Sequence, residues 1–214
     1  VTDILAATGL KAEAAAVARP GWRVLACGGH GKVLRAALEA AIAARRPDAL
    51  VSIGLAGGLD PALQVGDVVV GSDVVAGNAT GNWRCDPAIV VAPAARHGRV
   101  VGVALPAATP AEKAALHAAT GALAVDMESH VVAAVAAAHG LPFAVVRVIG
   151  DTAATALPPA ARVPLGKDGS VRLASVLAAL ARHPGQLPAL LRLAGETRRA
   201  MAALAASRQW PVRG

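Results

Sequence analysis

The residues able to do chemistry concentrate in two stretches of this 214-residue chain. In the first, Ser52-Ile53-Gly54-Leu55-Ala56-Gly57-Gly58-Leu59-Asp60-Pro61 is followed by Val65-Gly66-Asp67-Val68-Val69-Val70. Glycines directly after a buried strand let backbone N–H groups approach a ligand closely and form a nest suited to an anion. The same residues also suit a tight turn punctuated by Asp60-Pro61. In the second stretch, Val125-Asp126-Met127-Glu128-Ser129 opens a helix, and the strand beyond it runs through Val146-Arg147-Val148-Ile149-Gly150 to Asp151. One carboxylate thus falls near a helix N-terminus and another at the end of the next strand, and open α/β folds gather ligands outside the carboxyl ends of strands. Taken singly, Glu128 reads more simply as a partner for the helix dipole, and Asp151 as a turn or cap residue.

Familiar catalytic patterns are absent. Gly28-Gly29-His30-Gly31-Lys32 has Val33 where a phosphate-binding P-loop needs Ser or Thr. No G-x-G-x-x-G follows a strand, and neither a G-x-S-x-G elbow nor an H-E-x-x-H helix occurs. His130 lies four residues after Asp126 and can share a helix face with it. With no third ligand in the neighbourhood, a polar helix face is the simpler reading, and no metal site is expected.

The elements that must position these residues alternate. Ile4 to Thr8 reads as a strand, followed by a turn at Gly9 and a helix from Glu13 to Ala18; Trp22 to Ala26 is a second strand. The glycines at 28, 29 and 31 turn the chain into a helix from about Lys32 to Ala44, and Leu50 to Ile53 is a third strand. Val65 to Val75 carries another strand or a hairpin, and Val100 to Leu105 one more. Ala122 to Val125 leads into a helix beginning near Asp126 and ending at His139-Gly140, with Pro142 just beyond. Phe143 to Ile149 is the last clear strand, and the chain from Ser170 onward reads as helical with a break at Pro184-Gly185. Strand-length apolar runs alternating with alanine-rich helices imply βαβ units around a largely buried sheet. The expectation is one α/β domain spanning residues 1–214, with a C-terminal helical segment over about 170–208.

Composition narrows the class. Hydrophobic residues make up 55% and charged ones 16%, which excludes a disordered chain, while aromatics at 2% leave an aliphatic core. The mean hydropathy is +0.52, yet apolar runs such as Val131 to Ala138 and Leu173 to Ala181 fall short of the 18 or so residues a membrane span needs. Asp3, Lys11 and Glu13 interrupt the first residues, so a secretory leader is not expected. Two cysteines, Cys27 and Cys85, indicate neither a disulfide framework nor a thiolate metal site and fit a reducing cytoplasm. The net charge of +7 suits an anionic partner or simply an arginine-rich composition. No aromatics interleave the basic residues, which argues against a nucleic-acid groove.

In combination the motifs are more specific. G-L-A-G-G-L-D-P with V-G-D-V-V, then V-D-M-E-S, then V-V-R-V-I-G-D-T resembles the nucleoside phosphorylase superfamily, nearest to the methylthioadenosine/S-adenosylhomocysteine nucleosidases. The glycine-rich turn ending Gly31-Lys32-Val33 is similar as well, and the match runs from Ile4 to about Asp151 in consistent order. V-D-M-E-S-H and the Leu/Arg-rich C-terminus look most like the hopanoid-associated phosphorylases, which are linked to removal of adenine from adenosylhopane. The resemblance implies a three-layer α/β/α fold on a mixed, phosphorylase/hydrolase-like central sheet. It implies cleavage of the N-glycosidic bond of an adenine nucleoside without metal or organic cofactor, with inorganic phosphate as a candidate co-substrate.

The same resemblance implies roles. Asp151 would protonate N7 of the departing purine, and partial burial should raise its pKa toward neutrality. Glu128, ionised, would hold the ribose hydroxyls near the oxocarbenium-like charge. Glu13 aligns with the residue that activates water, although a surface glutamate on a helix is an equal reading. Met127 would pack on the sugar or base, and an ordinary core methionine is a near-equal reading. If phosphate is the nucleophile, the backbone amides of Gly9, Ala56 and Gly57 are the candidate cradle.

The sequence also departs from the family pattern. Leu55 stands where relatives often carry a hydroxyl residue, Gly150 where a serine commonly precedes the acid, and Leu105-Pro106-Ala107 lacks the aromatic that stacks on adenine. A pocket so stripped of polar groups is compatible with a lipid-linked nucleoside such as adenosylhopane. The alternatives are methylthioadenosine or S-adenosylhomocysteine, or a non-catalytic nucleoside-binding protein on the same fold. Leu187, Leu190, Leu191, Ala194, Met201 and Leu204 form one apolar stripe with Arg192, Arg198, Arg199 and Arg208 off it. That helix is expected either to dock on its own domain or to lie against anionic lipid at the inner membrane face. A homo-oligomer in the cytoplasm, without nucleic acid, completes the expectation.

Overall fold

The computed structural model describes residues 3–78, 80–86, 88–92, 94–161, 166–171 and 173–211. The aliphatic strand Ile4–Thr8 (β1) is buried along its whole length and leads into the helix Lys11–Val17 (α1). Trp22–Ala26 (β2), Gly31–Ala44 (α2) and Ala49–Gly58 (β3) follow. Next come Val68–Ala76 (β4), Asn82–Arg84 (β5), Arg96–Gly102 (β6), Pro110–Thr120 (α3) and Ala124–Asp126 (β7). Ser129–His139 (α4), Phe143–Asp151 (β8), Leu173–Arg182 (α5) and Leu187–Ala206 (α6) complete the order.

The sheet is mixed, as expected. Its strands run β2-β1-β3-β7-β6-β4-β5, and β8 pairs with both β3 and β4. Because β8 lies parallel to β3 and antiparallel to β4, the strands β3, β7, β6, β4 and β8 pair in a closed circuit. Strand β8 therefore has neighbours on both edges and both faces, and its near-continuous aliphatic sequence is what such a position requires. One face of the sheet packs on Leu34, Leu38 and Ile42 of α2 and Val131, Val132 and Val135 of α4. The opposite face packs on Ala16 and Val17 of α1 and Ala200 and Leu204 of α6, giving three layers. A smaller cluster of Leu59, Val101, Ala107, Ala122 and Val125 lies against Leu116 of α3.

Several boundaries differ from expectation for identifiable reasons. The glycine-rich segment Gly54–Gly58 is not a turn or nest, because β3 continues straight through it, paired with β8 from Leu50 to Gly57 and with β7 at Gly57 and Gly58. Pairing with β8 as far as Gly57, taken up by β7 at Gly57 and Gly58, overrides the turn preference of glycine. Strand β6 starts four residues before Val100 and stops at Gly102. The helix expected to begin near Asp126 begins at Ser129, since Asp126 still pairs in β7 opposite Gly102. Gly140 caps that helix in the left-handed conformation, φ 58°, as anticipated. Helix α3 is an addition to the expected elements. Its signature is legible all the same: Thr109 accepts a hydrogen bond from the Glu112 amide, Glu112 bonds back to the Thr109 amide, and Pro110 follows the cap.

The C-terminal helix divides into two halves. Ala200 and Leu204 are fully buried against the sheet, whereas Leu187 and Leu191 stand 46% and 65% exposed. The chain beyond is tied down by Arg19, whose Nη1 donates to the carbonyls of Ser207, Arg208 and Trp210 at 2.7, 3.2 and 3.1 Å. Arg208 Nε in turn donates to the Ala16 carbonyl at 2.7 Å, so this arginine serves the fold instead of presenting a free basic face. Among the described residues, no helix is long and apolar enough to cross a membrane.

Candidate active site

The strands β1, β3 and β8 run parallel and adjacent; β1 stops level with the middle of β3, where Ala7 pairs with Ser52, while β3 and β8 run on together to Gly57 and Asp151. After β1, Gly9 opens the turn into α1, and Glu13 in the first turn of that helix points back beneath it. Glu13 is buried, and its carboxylate accepts three backbone N–H groups. Oε2 accepts from Gly9 at 3.0 Å and Leu10 at 2.8 Å, and Oε1 accepts from Leu55 of β3 at 2.9 Å. Burial pushes its pKa up, opposed by these amides and by the Arg147 guanidinium. The reading of Glu13 as a surface glutamate is therefore corrected.

Glu128 caps α4 and is likewise buried. A β-carbon added at Gly9 would lie 2.8 Å from Glu128 Oε1 and 3.5 Å from Glu13 Oε2, so Gly9 is the only residue type that lets both carboxylates approach this turn. Burial drives the Glu128 carboxyl up to about 8; Arg147 opposes the rise, and Asp126 and Glu13 add to it. Desolvation and the two carboxylate neighbours thus work against the ionised form that the ribose role calls for, and the Arg147 guanidinium works for it.

Arg147 lies at the centre of the group. It sits midway along β8 with no exposed surface; Nη2 pairs with Asp126 and bonds the Ser52 hydroxyl, and lies 3.8 Å from Glu128 Oε2. Its Nη1 and Nε are buried without a hydrogen-bond partner. A β-carbon at Gly54 would come within 3.0 Å of Nη1 and 2.9 Å of Glu13 Oε2, so the glycine makes room for both. Asp126 is also held by the Ser129 amide at 2.9 Å and the Ser129 hydroxyl, which commits it to the framework. The His130 pKa is lowered, chiefly by burial, and no group of three metal-ligating side chains occurs among the described residues.

Asp151 ends β8 beside Gly57, with which it pairs across a shift in the β3–β8 register. It is largely buried, which raises its pKa as expected; the buried ammonium of Lys113 from α3 opposes the rise by pairing with Oδ2. Gly9, Glu13, Glu128 and Arg147 thus form one group, and Gly57 and Asp151 form a second with Lys113. Met127 packs over the Gly29 turn, where an added β-carbon would meet its Cε at 2.9 Å. Of the candidate cradle, the Gly9 amide is engaged by Glu13, and Ala56 and Gly57 lie within the β3–β8 pairing.

Sequence reasoning gave no part to Arg147 or Lys113. An arginine inside an otherwise aliphatic strand was the available signal for the first, since a buried charge must be paired. For Lys113 nothing short of the helix register could show that it points inward.

The fold defined by this mixed sheet is shared with known enzymes. A mutant of Helicobacter pylori 5′-methylthioadenosine nucleosidase, with 5′-methylthioadenosine in its active site, superposes with a TM-score of 0.65 at 13% identity, covering 97% of this chain and 98% of that one. Streptococcus pneumoniae MTA/SAH nucleosidase in complex with 8-aminoadenine gives 0.67 at 16%, covering 96% and 98%. A futalosine hydrolase mutant of Helicobacter pylori gives 0.61 at 16%, covering 70% and 89%. The family model of the phosphorylase superfamily matches residues 21–94 and 84–182 in two overlapping segments. The chain belongs to the phosphorylase superfamily, and so to the glycosyl-bond-cleaving enzymes that the sequence resemblance implied.

Proposed function

We propose that this enzyme cleaves the N-glycosidic bond of an adenine nucleoside. The observation that carries the reading is the burial of Glu13, Glu128 and Arg147 around Gly9 and Gly54, with Asp151 at the end of the adjoining strand. As the bond between C1′ and the base breaks, Asp151 delivers a proton to N7 so that adenine leaves neutral. Glu128 bonds the ribose hydroxyls. Arg147, 3.8 Å from Glu128 Oε2, is the counter-charge that favours its ionised form, and that carboxylate faces the positive charge growing on the ribose. A water attacking C1′ gives its proton to Glu13. With phosphate as nucleophile, the guanidinium of Arg147, whose Nη1 and Nε have no hydrogen-bond partner among the described residues, is the anion-binding group. Met127, Ala56 and Gly57 complete the wall around the nucleoside.

For the substrate we favour adenosylhopane over methylthioadenosine or S-adenosylhomocysteine. Gly150 leaves no side chain before Asp151, and a β-carbon there would be in ordinary contact with Leu55 Cβ at 3.6 Å and the Ala56 carbonyl at 3.7 Å, so what this position presents is the aliphatic Leu55 in place of a hydroxyl. Leu105, where a stacking aromatic is missing, is 78% exposed. Assembly as a homo-oligomer and weak contact with the inner membrane face belong to the same reading. The second draws support from Leu177, Leu187 and Leu191, which are exposed on α5 and on the free half of α6. Adenine release from adenosylhopane and from methylthioadenosine, each with and without phosphate, tests the function. Release from neither would leave a nucleoside-binding protein on this fold. Light scattering after gel filtration reads the oligomer.

A further inference from the structure

Helix α3 directs Lys113 into the protein interior, the buried position of this helix, with none of the side chain exposed. Desolvating an ammonium is costly, and an apolar side chain at such a place is often as stabilising or more so. The charge therefore calls for a reason beyond packing. All three Nζ hydrogens are directed to one locus: Asp151 Oδ2, the Thr152 carbonyl at 2.7 Å and the Thr155 carbonyl at 3.0 Å. A β-carbon at Gly57 would lie 3.5 Å from Asp151 Oδ2 and 3.7 Å from Lys113 Cε, so bare β3 backbone walls the pair on one side. The other charged group acting on Asp151 is Glu196 of α6, which works in the opposite sense to Lys113.

We propose that Lys113 is a positioning residue for Asp151, fixing which carboxyl oxygen meets the substrate and setting the pH range in which that carboxyl holds a proton. With Oδ2 held by Lys113, bonding to a purine falls to Oδ1, and rotation about the Asp151 side chain is blocked. The cation stabilises the ionised carboxyl, so the acid form gives up its proton at a lower pH with Lys113 than without it. Glu196 acts the other way. The proposal rests on the reading of Asp151 as the acid, and its test separates the two.

The test uses the full chain with Lys113→Gln and Lys113→Arg, following adenine release against pH and, independently, the Asp151 carboxyl by carbon-13 NMR. Lys113→Gln should lower kcat about 10- to 100-fold with KM changed less than about threefold. It should also move both the alkaline limb of kcat/KM and the Asp151 titration to higher pH by about one unit or more. Lys113→Arg, which keeps the charge, should restore the position of both. An unmoved Asp151 titration in Lys113→Gln overturns the proposal, whatever happens to activity. A moved titration in a protein whose wild type releases no adenine sustains the pairing and removes the enzymatic reading instead. Should the Gln variant not fold, the wild type decides. The Lys113 Nζ resonance must shift at the pH where Asp151 titrates, and a resonance indifferent to that pH overturns the pairing.

Discussion

Glu13 and Leu55 are separated by 42 positions in sequence, and Glu13 Oε1 accepts the Leu55 amide hydrogen at 2.9 Å. The bond ties the turn after β1 to the segment of β3 that passes the site. Since Oε2 takes the amides of Gly9 and Leu10, three of the roughly four acceptor positions of the carboxylate are filled by backbone. One remains for a nucleophile. Glu13 thus has a structural and a chemical task in the same carboxylate, and the two separate on mutation.

Glu13→Gln places an NH2 group against at least one of those backbone donors. Folding stability should drop by about 1–3 kcal/mol, the usual penalty for a buried donor left unsatisfied. Turnover should fall in addition, because an amide cannot take a proton from water. Chemical denaturation read beside adenine release checks both. Full stability in the variant would mean that the three amides find other partners.

For Asp151→Asn, the carboxamide fills the same volume beside Gly57 but supplies no proton. Turnover should fall by about 10² to 10⁴ while nucleoside binding changes little. The variant also leaves the Lys113 ammonium buried with a neutral partner. A drop in melting temperature is therefore expected alongside the loss of rate. Turnover near that of the wild type would remove Asp151 from the chemistry.

Glu128 predicts a pH dependence of stability. Its folded pKa, about 8, lies above the ordinary value of 4.5, so folding favours the protonated form. The stability this contributes is complete below about 4.5 and is lost as pH rises toward 8. Glu13 and Asp151, both raised by burial, act in the same direction. Unfolding free energy should therefore decline across that window, and Glu128→Gln should flatten the slope by on the order of a few kcal/mol. The same variant should weaken both binding and turnover of the parent nucleoside, while 2′- or 3′-deoxy substrates react alike with either protein. A wild type that cleaves deoxy analogues as fast as the parent has no ribose clamp at Glu128.

Much of this site was legible because the strand ends are local. Ile4 to Thr8 and Trp22 to Ala26 are strands at the residues their aliphatic runs indicate, and Asp151 stands at a strand end as the motif implies. What escaped depends on pairing and on helix register. Gly54 to Gly58 has the composition of a turn, and it is the pairing with β8, joined by β7 at Gly57 and Gly58, that holds it extended. Lys113 is one cation among 21, and its burial follows from how α3 sits on the cluster around Val125, which no local pattern encodes. Glu128 illustrates the electrostatic form of the same limit. The sequence shows a carboxylate at a helix start, while its protonation state depends on Asp126, Glu13 and Arg147 converging from three other elements.

The two halves of α6 should respond oppositely to substitution. Leu204 has no exposed surface and packs on the sheet with Ala200, so Leu204→Ala should cost about 2–5 kcal/mol of stability. Leu191, 65% exposed, should change stability by no more than about 0.5 kcal/mol when replaced by alanine. Removing residues 186–214 should unfold the protein, since it strips Ala200, Leu204 and the Arg19 and Arg208 bonds together. Membrane contact is therefore tested with point variants. If the free half of α6 meets anionic lipid, wild-type protein should sediment with phosphatidylglycerol vesicles at low salt and less at high salt. Leu187→Ser combined with Leu191→Ser should abolish sedimentation while leaving the melting temperature within a few degrees. If the double variant sediments as the wild type does, or if the wild type stays in the supernatant at low salt, these leucines face something other than lipid. A Leu191→Ala variant as unstable as Leu204→Ala would show instead that this half of the helix is covered in the native protein.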